Sequence, residues 1–563
     1  MALIKVQEGW FKSSLVNFAA IAIGAVLFAA SFPNIPFAYG LPLLAWIAYV
    51  PVFWVVRRVG IGTSVLLGAL YGYSAYGLFN YWLSVFHPLA GIVVGSIYSI
   101  YMALLFALLH LAVRLFPRRG YILQFLLWMA YEYLRTLGFL GYSYGITGYS
   151  QWQLLPVIQI AAITGVWGVS AIVVFPSAWL AAALSESSSF GGKGPLNINR
   201  AELLSSMKVF FRKERVSALT WIALLAATLV YGFVSPIDYS DARKVKFALI
   251  QHNTDPWLPA RAPTAAQALA EYWVDFNVLR RLSDEALAAH PDVDFVVWSE
   301  TAFVPRIHWH YTFREDRGTW YLVRELLDYL ATQDVPFIIG NHDGRRDPAL
   351  NPHGDNRVDF NAVILFERGQ IKEVYRKIHL VPFTEHFPFQ DRFPGIYQAL
   401  RDEDTHFWDQ GTELTIFESR GVRFATPICF EDTFGYLNRD FVRAGAEILV
   451  NLSNDAWSNS LSAQMQHLTM AVFRSVENRR AIVRSTSSGQ TCAIDPNGRI
   501  IAMAEPFTEA WLVVEVPVMT VTTIYTRFGD YLGVFFTVAA FFMLLSGIFL
   551  YIIKRIRVPH TRN

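Results

Sequence analysis

Residues 424–432 have the sequence Phe424-Ala425-Thr426-Pro427-Ile428-Cys429-Phe430-Glu431-Asp432. The mostly apolar run from Gly421 to Ile428 predicts a buried strand, and the amphipathic run from Tyr436 to Arg443 predicts a helix. A thiol therefore lies at a sharp turn between a strand and a helix. The positive potential near a helix N-terminus favours the thiolate, which is the reactive form of cysteine. A lone cysteine beside a strand is more often a small buried apolar residue, so the rest of the chain must decide the role of Cys429.

The composition indicates a membrane protein. Hydrophobic residues make up 54% of the 563 residues and charged residues only 16%, whereas soluble domains carry roughly 25% charged residues. The formal net charge of +2 gives no indication of a nucleic-acid partner. Cys429 and Cys492 are too few for a disulfide framework or a four-cysteine zinc site. The length predicts two or more domains.

Long apolar segments occupy most of the first half of the chain, and each is near or above the length that crosses a membrane. They are Leu15–Ser31, Phe37–Val56, Thr63–Phe86, Ile92–Phe116, Ile122–Leu140, Ile158–Leu184 and Leu219–Val234. An eighth segment, Tyr531–Ile553, lies near the C-terminus. A signal peptide is an alternative interpretation of the first segment, because Lys5 and Lys12 precede it and Ala29-Ala30-Ser31 resembles a cleavage site.

Basic residues cluster on alternate loops between these segments. The clusters lie before the first segment, after the second and fourth, between the sixth and seventh, and after the eighth. By the positive-inside rule, the N-terminus and the C-terminal tail are cytoplasmic, and the polar half of the chain lies on the opposite face. The sequence therefore predicts a polytopic membrane domain of seven spans at 1–238, an extracytoplasmic domain at 239–518, and an eighth span with a cytoplasmic tail at 519–563.

Residues 244–518 have a different pattern, with frequent charges and apolar runs of strand length. We predict strands at Val245–Gln251, Asp294–Trp298, Pro336–Gly340, Asn361–Phe366, Val422–Ile428, Glu447–Leu452, Ala481–Ser485, Thr491–Ile494, Ile500–Met503 and Ala510–Val516. Helical periodicity appears at Leu269, Trp273, Phe276 and Leu279, and again at Leu322, Leu326, Leu327 and Leu330. A third helix is predicted at Gln464–Asn478, and Asp495-Pro496-Asn497-Gly498 predicts a hairpin turn. This alternation of strands and helices predicts an α/β domain.

Two further segments carry groups that complete a cysteine-based site. A buried strand, Phe295–Trp298, is followed by Ser299 and Glu300, and a Pro-containing loop holds Lys377 and Glu385. Attack of a thiol on a carbonyl requires a proton carrier and a stabiliser for the developing negative charge. Glu300 is suited to take the thiol proton, and the ammonium of Lys377 is suited to stabilise the oxyanion.

Glu300, Lys377 and Cys429 occur in the chain order of the Glu-Lys-Cys triad of the nitrilase superfamily. Together with the eight apolar segments, they make the sequence resemble the apolipoprotein N-acyltransferase family over nearly its whole length. Further segments that match the family are Asn454-Asp455-Ala456-Trp457, Gln466-His467 and Tyr525-Thr526-Arg527-Phe528-Gly529-Asp530. The resemblance implies a nitrilase-like αββα sandwich in which Glu300 is the base, Lys377 the oxyanion lysine and Cys429 the nucleophile.

The resemblance also implies supporting residues. Glu385 and Glu431 match further acids of the family's site. Phe430 follows the nucleophile where the family usually has Tyr, so we expect its ring to pack and its backbone N–H to help bind the oxyanion. Trp257 lies close to a family tryptophan, and Asn341 is a candidate for lining the site, with a turn as its alternative role.

The implied reaction is a two-step acyl transfer at the outer face of a bacterial inner membrane. A phospholipid donates an acyl chain to Cys429, and the amine of a lipoprotein's diacylglyceryl cysteine attacks the resulting thioester. The lipid bilayer supplies both substrates, and the reaction needs no cofactor or metal. His308 and His310, with His379 or His386, are the alternative candidates for metal ligands, but no carboxylate at ligand spacing accompanies them.

Two other functions remain open from the residues alone. A membrane-anchored carbon–nitrogen hydrolase would use the same triad with water as acceptor, although eight spans exceed what an anchor requires. A transporter or receptor with an extracytoplasmic binding domain would not need the thiol. The scarcity of charge inside the apolar segments disfavours an ion-coupled transporter.

Overall fold

The structure is a computed structural model that describes residues 2–86, 88–187, 190, 199–254, 262, 264–347, 357–402 and 407–557. The chain forms two compact units. One consists of Met1–Pro236 and Asp530–Asn563, and the other of Ile237–Gly529. Trp257 lies outside the described residues, so its predicted place in the site stays a prediction.

The first unit is helical. Up to residue 234 its helices are α1 (Ala2–Ser31), α2 (Ala45–Ala48), α3 (Val50–Arg58), α4 (Ile61–Phe79), α5 (Leu83–Phe86), α6 (Ala90–Leu115), α7 (Gly120–Leu134), α8 (Leu155–Ile158), α9 (Ala161–Thr164), α10 (Val166–Ser185), α11 (Arg200–Lys213) and α12 (Arg215–Val234). In the described part of the chain, 5 helices are long and apolar enough to cross a membrane. They are Lys12–Ser31, Ala90–Leu115, Val166–Ser185, Arg215–Val234 and Tyr531–Ile556.

The other three predicted spans contain shorter helices than the sequence suggested. The segment Phe37–Val56 forms a 3-10 turn, α2 and α3, and prolines stand in the first turns of the 3-10 element and of α3. Proline lacks an N–H donor and therefore begins a helix more readily than it continues one. The segment Thr63–Phe86 is divided at Asn80 into α4 and α5, and α7 ends at Leu134 instead of Leu140.

The second unit contains two six-stranded sheets. The strands are β1 (Lys244–Gln251), β2 (Phe295–Trp298), β3 (Phe337–Arg346), β4 (Arg357–Glu367), β5 (Gln370–Arg376), β6 (Phe417–Ser419), β7 (Val422–Ala425), β8 (Ile448–Ser453), β9 (Ala481–Thr486), β10 (Cys492–Ile494), β11 (Ile500–Met503) and β12 (Ala510–Pro517). One sheet has the order β12-β1-β2-β3-β4-β5 and the other β11-β10-β9-β8-β7-β6. Parallel pairs lie at the centre of both sheets, β1–β2–β3 in one and β7–β8–β9 in the other.

Helices of the second unit pack on the two sheets or lie in the segments that connect the strands. They are α13 (Ala265–Ala289), α14 (Ile307–Phe313), α15 (Arg317–Ala331), α16 (Pro394–Asp402), α17 (Gly435–Arg443), α18 (Leu461–Asn478) and α19 (Ile524–Phe528), after which α20 (Tyr531–Arg557) belongs to the first unit. Apolar residues of α13 and α15 share one buried core with β1 to β4, and α18 packs on β9.

The inner faces of the sheets pack against each other. The rings of Phe295 and Phe424, one from each sheet, meet with their centroids 5.4 Å apart. The hydroxyl of Ser485 on β9 donates to the carbonyls of Ile250 at 3.2 Å and Val297 at 3.1 Å on the opposite sheet. The unit is therefore an α/β domain with αββα layers. A strand that is covered on both faces is apolar throughout. This explains why β2, which is buried along its whole length, consists only of Phe, Val and Trp residues.

Sequence patterns identified the buried strands and missed the edge strand β5 and the short strand β6. Most residues of β5 are exposed, so its sequence lacks the apolar run that marks a buried strand. Strand β7 ends at Ala425, earlier than predicted, and Cys429–Thr433 forms a 3-10 turn before α17 begins. Asn341, which the sequence placed in a loop, lies inside β3. The predicted hairpin turn joins β10 and β11.

Gly340 in β3 lies directly against the backbone that carries Glu300. A Cβ atom there would lie 2.3 Å from the carbonyl oxygen of Ser299 and 2.7 Å from the Cα of Glu300. We expect Gly340→Ala to displace that backbone and to lower the free energy of unfolding by about 1–3 kcal/mol, as overpacking does. Denaturant unfolding of the purified protein in detergent measures this change. Gly395→Ala is the control, since among the described residues no atom lies within 4 Å of its added Cβ; equal losses would contradict the steric explanation.

Candidate active site

Glu300 lies just beyond the end of β2, and its side chain is buried. Its Oε1 accepts a hydrogen bond from Nδ2 of Asn361 at 2.8 Å, and its Oε2 accepts one from the backbone N–H of Asn454 at 2.8 Å. Burial raises the pKa of Glu300, the positive charge of Lys377 opposes the increase, and the result is a pKa above the ordinary value. A carboxylate with a raised pKa is suited to exchange protons near neutral pH.

Lys377 follows the edge strand β5 and is fully buried. Its Nζ lies 2.9 Å from Oε1 of Glu385 and 3.5 Å from Oε1 of Glu300. Burial by itself lowers the pKa of Lys377, but the negative charges of these two carboxylates outweigh it and raise the pKa above its ordinary value. The site therefore holds a fixed positive charge in a place without solvent.

Cys429 begins the turn after β7 with a φ of 48° and a partly exposed side chain. Loss of solvation and then the charge of Glu300 raise the pKa of the Cys429 thiol well above its ordinary value, and Lys377 opposes them. The thiol is therefore protonated at rest, which corrects the expectation that the turn favours the thiolate. A 3-10 turn, Cys429–Thr433, follows the strand, and α17 begins only at Gly435. The three predicted triad residues lie near enough for their charges to act on one another.

Glu431 joins the turn after β7 to the segment after β5. Its Oε1 accepts hydrogen bonds from the backbone N–H groups of Ile378 at 2.8 Å and His379 at 2.9 Å. Its Oε2 accepts the N–H of Ile428 at 2.8 Å, and the Tyr375 hydroxyl donates to both oxygens. Burial raises the pKa of Glu431 to about 7, against the effect of these hydrogen bonds. This one carboxylate connects the backbone segments that carry the lysine and the cysteine.

Glu385 and Asn361 complete the polar contacts around the lysine. Oε2 of Glu385 accepts the N–H of Val381 at 2.8 Å, which orders the Pro-containing loop. Nδ2 of Asn361 lies 3.3 Å from Oε1 of Glu385 and also donates to Glu300. Asn361 is a site residue that the sequence patterns did not identify. The available signal was a polar residue inside the apolar strand β4, where a buried amide needs a partner.

The Phe430 ring packs as expected, and the Asn341 side chain makes its hydrogen bonds to the loop after β2. The Phe430 ring is buried and meets Phe434 edge-on with the centroids 4.9 Å apart. The Asn341 side chain accepts the N–H of Ile307 at 3.2 Å and donates to the carbonyl of Pro305 at 2.9 Å. Asn341 therefore holds the loop that follows Glu300, and its role in lining the site stays a prediction.

The described residues therefore combine a protonated thiol, a carboxylate with a raised pKa and a fixed ammonium. This set of groups supports attack of sulfur on a carbonyl carbon, with the carboxylate as proton carrier and the ammonium facing the developing oxyanion.

The sequence profile of the carbon-nitrogen hydrolase family matches residues 246–525, and that of the apolipoprotein N-acyltransferase N-terminal domain matches residues 24–179. The second unit is thus a carbon–nitrogen hydrolase domain. The solved structure of Saccharomyces cerevisiae Nit3, a member of the nitrilase superfamily, is 18% identical with a TM-score of 0.35, covering 49% of this chain and 90% of that chain.

Relatives that match nearly the whole chain have a higher sequence identity to it than Nit3 has. Apolipoprotein N-acyltransferase 1 of Treponema denticola is 42% identical over 556 residues, which cover 96% of this chain and 98% of the relative. Apolipoprotein N-acyltransferase 1 of Treponema pallidum is 44% identical over 548 residues, which cover 96% and 97%. The chain therefore belongs to the apolipoprotein N-acyltransferase family. It is an N-acyltransferase, and its apolar helices are those of a membrane protein.

Replacing Glu431 tests whether the carboxylate positions the lysine and the cysteine. Glu431→Gln places an NH₂ group against N–H donors, so at least one backbone segment must move. We expect the rate of N-acyl transfer to fall roughly 100-fold, because small displacements of reacting groups have effects of that size. Tyr375→Phe keeps the three backbone hydrogen bonds and should lower the rate by less than about tenfold. A single-turnover assay of N-acyl transfer measures both rates, and similar rates for the two variants would contradict the positioning role.

Proposed function

We propose that this protein transfers an acyl chain from a phospholipid, through a thioester on Cys429, to the N-terminal amine of a diacylglyceryl-cysteine lipoprotein. The observation that carries the proposal is the buried contact of Lys377 with Glu300 and Glu385, beside a thiol whose pKa depends on the same charges. The acyl donor and acceptor are inferred from the apolipoprotein N-acyltransferase family to which the chain belongs.

In the first step, Glu300 takes the proton of the Cys429 thiol while sulfur attacks the ester carbonyl of the phospholipid. The ammonium of Lys377 and the backbone N–H of Phe430 stabilise the negative charge that develops on the carbonyl oxygen. The C–O bond to the lipid then breaks, and Glu300 returns its proton to the leaving alcohol. The products of this step are a lysophospholipid and an acyl thioester on Cys429.

In the second step, the amine of the lipoprotein's modified cysteine attacks the thioester carbonyl. Glu300 takes a proton from the amine, and the same positive charge stabilises the second oxyanion. The C–S bond breaks, the thiolate regains a proton from Glu300, and the acceptor leaves with an amide bond. Glu385 and Glu431 support both steps by holding the lysine and the turn.

The membrane arrangement belongs to the same proposal. Eight spans, seven in residues 1–238 and one in 519–563, would place the catalytic domain at 239–518 on the periplasmic face of a bacterial inner membrane. The alternation of basic loops supports this orientation, and the five apolar helices of the described residues support the membrane location. Lipid substrates then reach the enzyme from the bilayer itself.

Mass spectrometry of the intact protein tests the covalent step. After incubation with a phospholipid of defined acyl chain, we expect the wild-type protein to gain the mass of one acyl chain on Cys429. Cys429→Ala should gain none, whereas Cys492→Ala should react like the wild type, because Cys492 is the buried second cysteine. Loss of the acyl group on addition of a diacylated lipopeptide, and not in water alone, distinguishes acyl transfer from hydrolysis. An adduct that persists in Cys429→Ala would exclude the proposed nucleophile.

Removing the ammonium of Lys377 tests its electrostatic role. We expect Lys377→Met to slow acylation roughly 100- to 1,000-fold, as the loss of an oxyanion donor does. The positive charge of Lys377 lowers the pKa of Glu300, so the variant should need a higher pH before Glu300 ionises, and the acidic limb of the rate profile should move upward. Lys372→Met, at an exposed position of β5, five residues before Lys377, is the control. An acidic limb that does not move in Lys377→Met would contradict the assigned coupling.

A further inference from the structure

A second buried cluster of charges lies behind the nucleophile and takes no part in the steps above. It consists of Asp432, Asp455, His467 and Arg484, and each of these residues is at most 5% exposed. Moving charges out of water is costly, and the attraction between them offsets the cost only when their contacts are close and complete. We therefore expect a buried cluster of this kind, directly beside Cys429, to have a function in the site.

His467, on α18, is the centre of this cluster. Its Nε2 lies 2.7 Å from Oδ1 of Asp432, and its Nδ1 lies 3.3 Å from Oδ1 of Asp455. Arg484 on β9 contacts Asp432 and lies 3.8 Å from Oδ2 of Asp455. Both ring nitrogens can donate to carboxylates only when the ring carries both protons. Nη2 of Arg484 lies 3.4 Å from Nδ1 and, as a donor, opposes that form, so the two shorter carboxylate contacts carry the assignment of an imidazolium.

The same ring reaches the backbone of the nucleophile. Nε2 of His467 lies 3.2 Å from the carbonyl oxygen of Cys429, and Nδ2 of Asn451 donates to that oxygen at 3.4 Å. Cys429 has a φ of 48°, in the left-handed region that residues other than glycine rarely adopt. A backbone conformation of this kind persists only where its surroundings hold it. Here two side chains, His467 and Asn451, hold the carbonyl group of the strained residue Cys429.

The direction of that carbonyl determines the direction of the next amide. A trans peptide is planar, so the N–H of Phe430 points away from the carbonyl oxygen of Cys429. We propose that His467, held by Asp432 and Asp455, is a positioning residue that orients the Cys429–Phe430 peptide and so directs the Phe430 N–H toward the acyl oxygen. The inference rests on the proposed function, because it concerns the oxyanion of that reaction.

The charge state of His467 makes the role sensitive to pH. Burial and the positive charge of Arg484 lower the pKa of His467. The negative charge of Asp432 and the hydrogen bonds to Asp432 and Asp455 outweigh both effects and raise the pKa to about 9. The groups that face the ring are thus Asp432 and the Cys429 carbonyl from the turn, Asp455 from the loop after β8, and Arg484 from β9. Since the pKa is raised, the imidazolium is present below that pH and is lost as the pH rises through about 9.

The sharpest test is Asp432→Asn. This change keeps the shape of the side chain and an acceptor for His467, and it removes the charge that raises the pKa of the ring. We expect the alkaline limb of the acylation rate to move from about pH 9 toward the unperturbed histidine value of roughly 6.5. A single-turnover pH profile of Cys429 acylation measures the shift, and a limb that stays at its wild-type pH would overturn the proposal.

His467→Gln provides an independent readout. At pH 7 we expect kcat for acylation to fall roughly 100-fold through displacement of the peptide, with KM for phospholipid nearly unchanged because the loss concerns only the transition state. An unchanged kcat would overturn the proposal, as would an equal loss expressed in KM. If His467→Gln does not fold, the isosteric Asp432→Asn variant decides the question.

Glu477→Gln is the matched control, because Glu477 also lies on α18 and forms a buried ion pair with Arg474 at 3.0 Å. A purely structural role for His467 predicts the same pattern in both variants, namely lower stability and an unchanged pH profile. The outcomes also separate the two proposals. If the wild-type protein forms no thioester, the proposed function fails. If it does so and the variants at 432 and 467 keep wild-type kinetics, only the positioning role fails.

Discussion

The site depends on one buried ammonium between two carboxylates. Lys377 is fully buried, and its Nζ contacts Glu385 at 2.9 Å and Glu300 at 3.5 Å. A charge without solvent is tolerated only with partners, and the loss of one partner from such a group leaves the other uncompensated. Asn361 donates to both carboxylates and so ties them together. The ammonium that these carboxylates stabilise in the interior also lowers the pKa of Glu300 and of Cys429, against the effect of burial.

Both sheets of the sandwich must pack before this site exists. Glu300 and Lys377 follow strands of one sheet, whereas Cys429 and Asn454 follow strands of the other. The hydrogen bond from the Asn454 amide to Glu300 crosses between them, as do the bonds that Glu431 accepts from the segment after β5. The apolar contacts between the inner faces thus hold the acid, the amine and the thiol at separations that the chain alone would not maintain.

Much of this arrangement was predictable from particular residues. The apolar runs before Glu300 and Cys429 marked β2 and β7, and helical spacing marked α13, α15 and α18. Apolar length identified helices such as Ala90–Leu115. The edge strand β5 was not predicted because its residues are mostly exposed. The turn suggested for Asn341 was wrong, because Asn341 is a polar residue inside the buried strand β3. The span at 37–56 is interrupted where prolines begin new helices.

By itself, the sequence determined the two-part organisation, the α/β class of the second half and the residue types of the proposed triad, because periodicity and chain order are local properties. The tertiary structure alone decided the protonation states. Cys429 is a thiol at rest because residues far along the chain, Glu300 among them, surround it in a place with little water. It also decided the roles of Asn361 and His467, because their contacts join segments that are distant in sequence. A pKa depends on burial and on neighbouring charges, and neither is defined until the chain has folded.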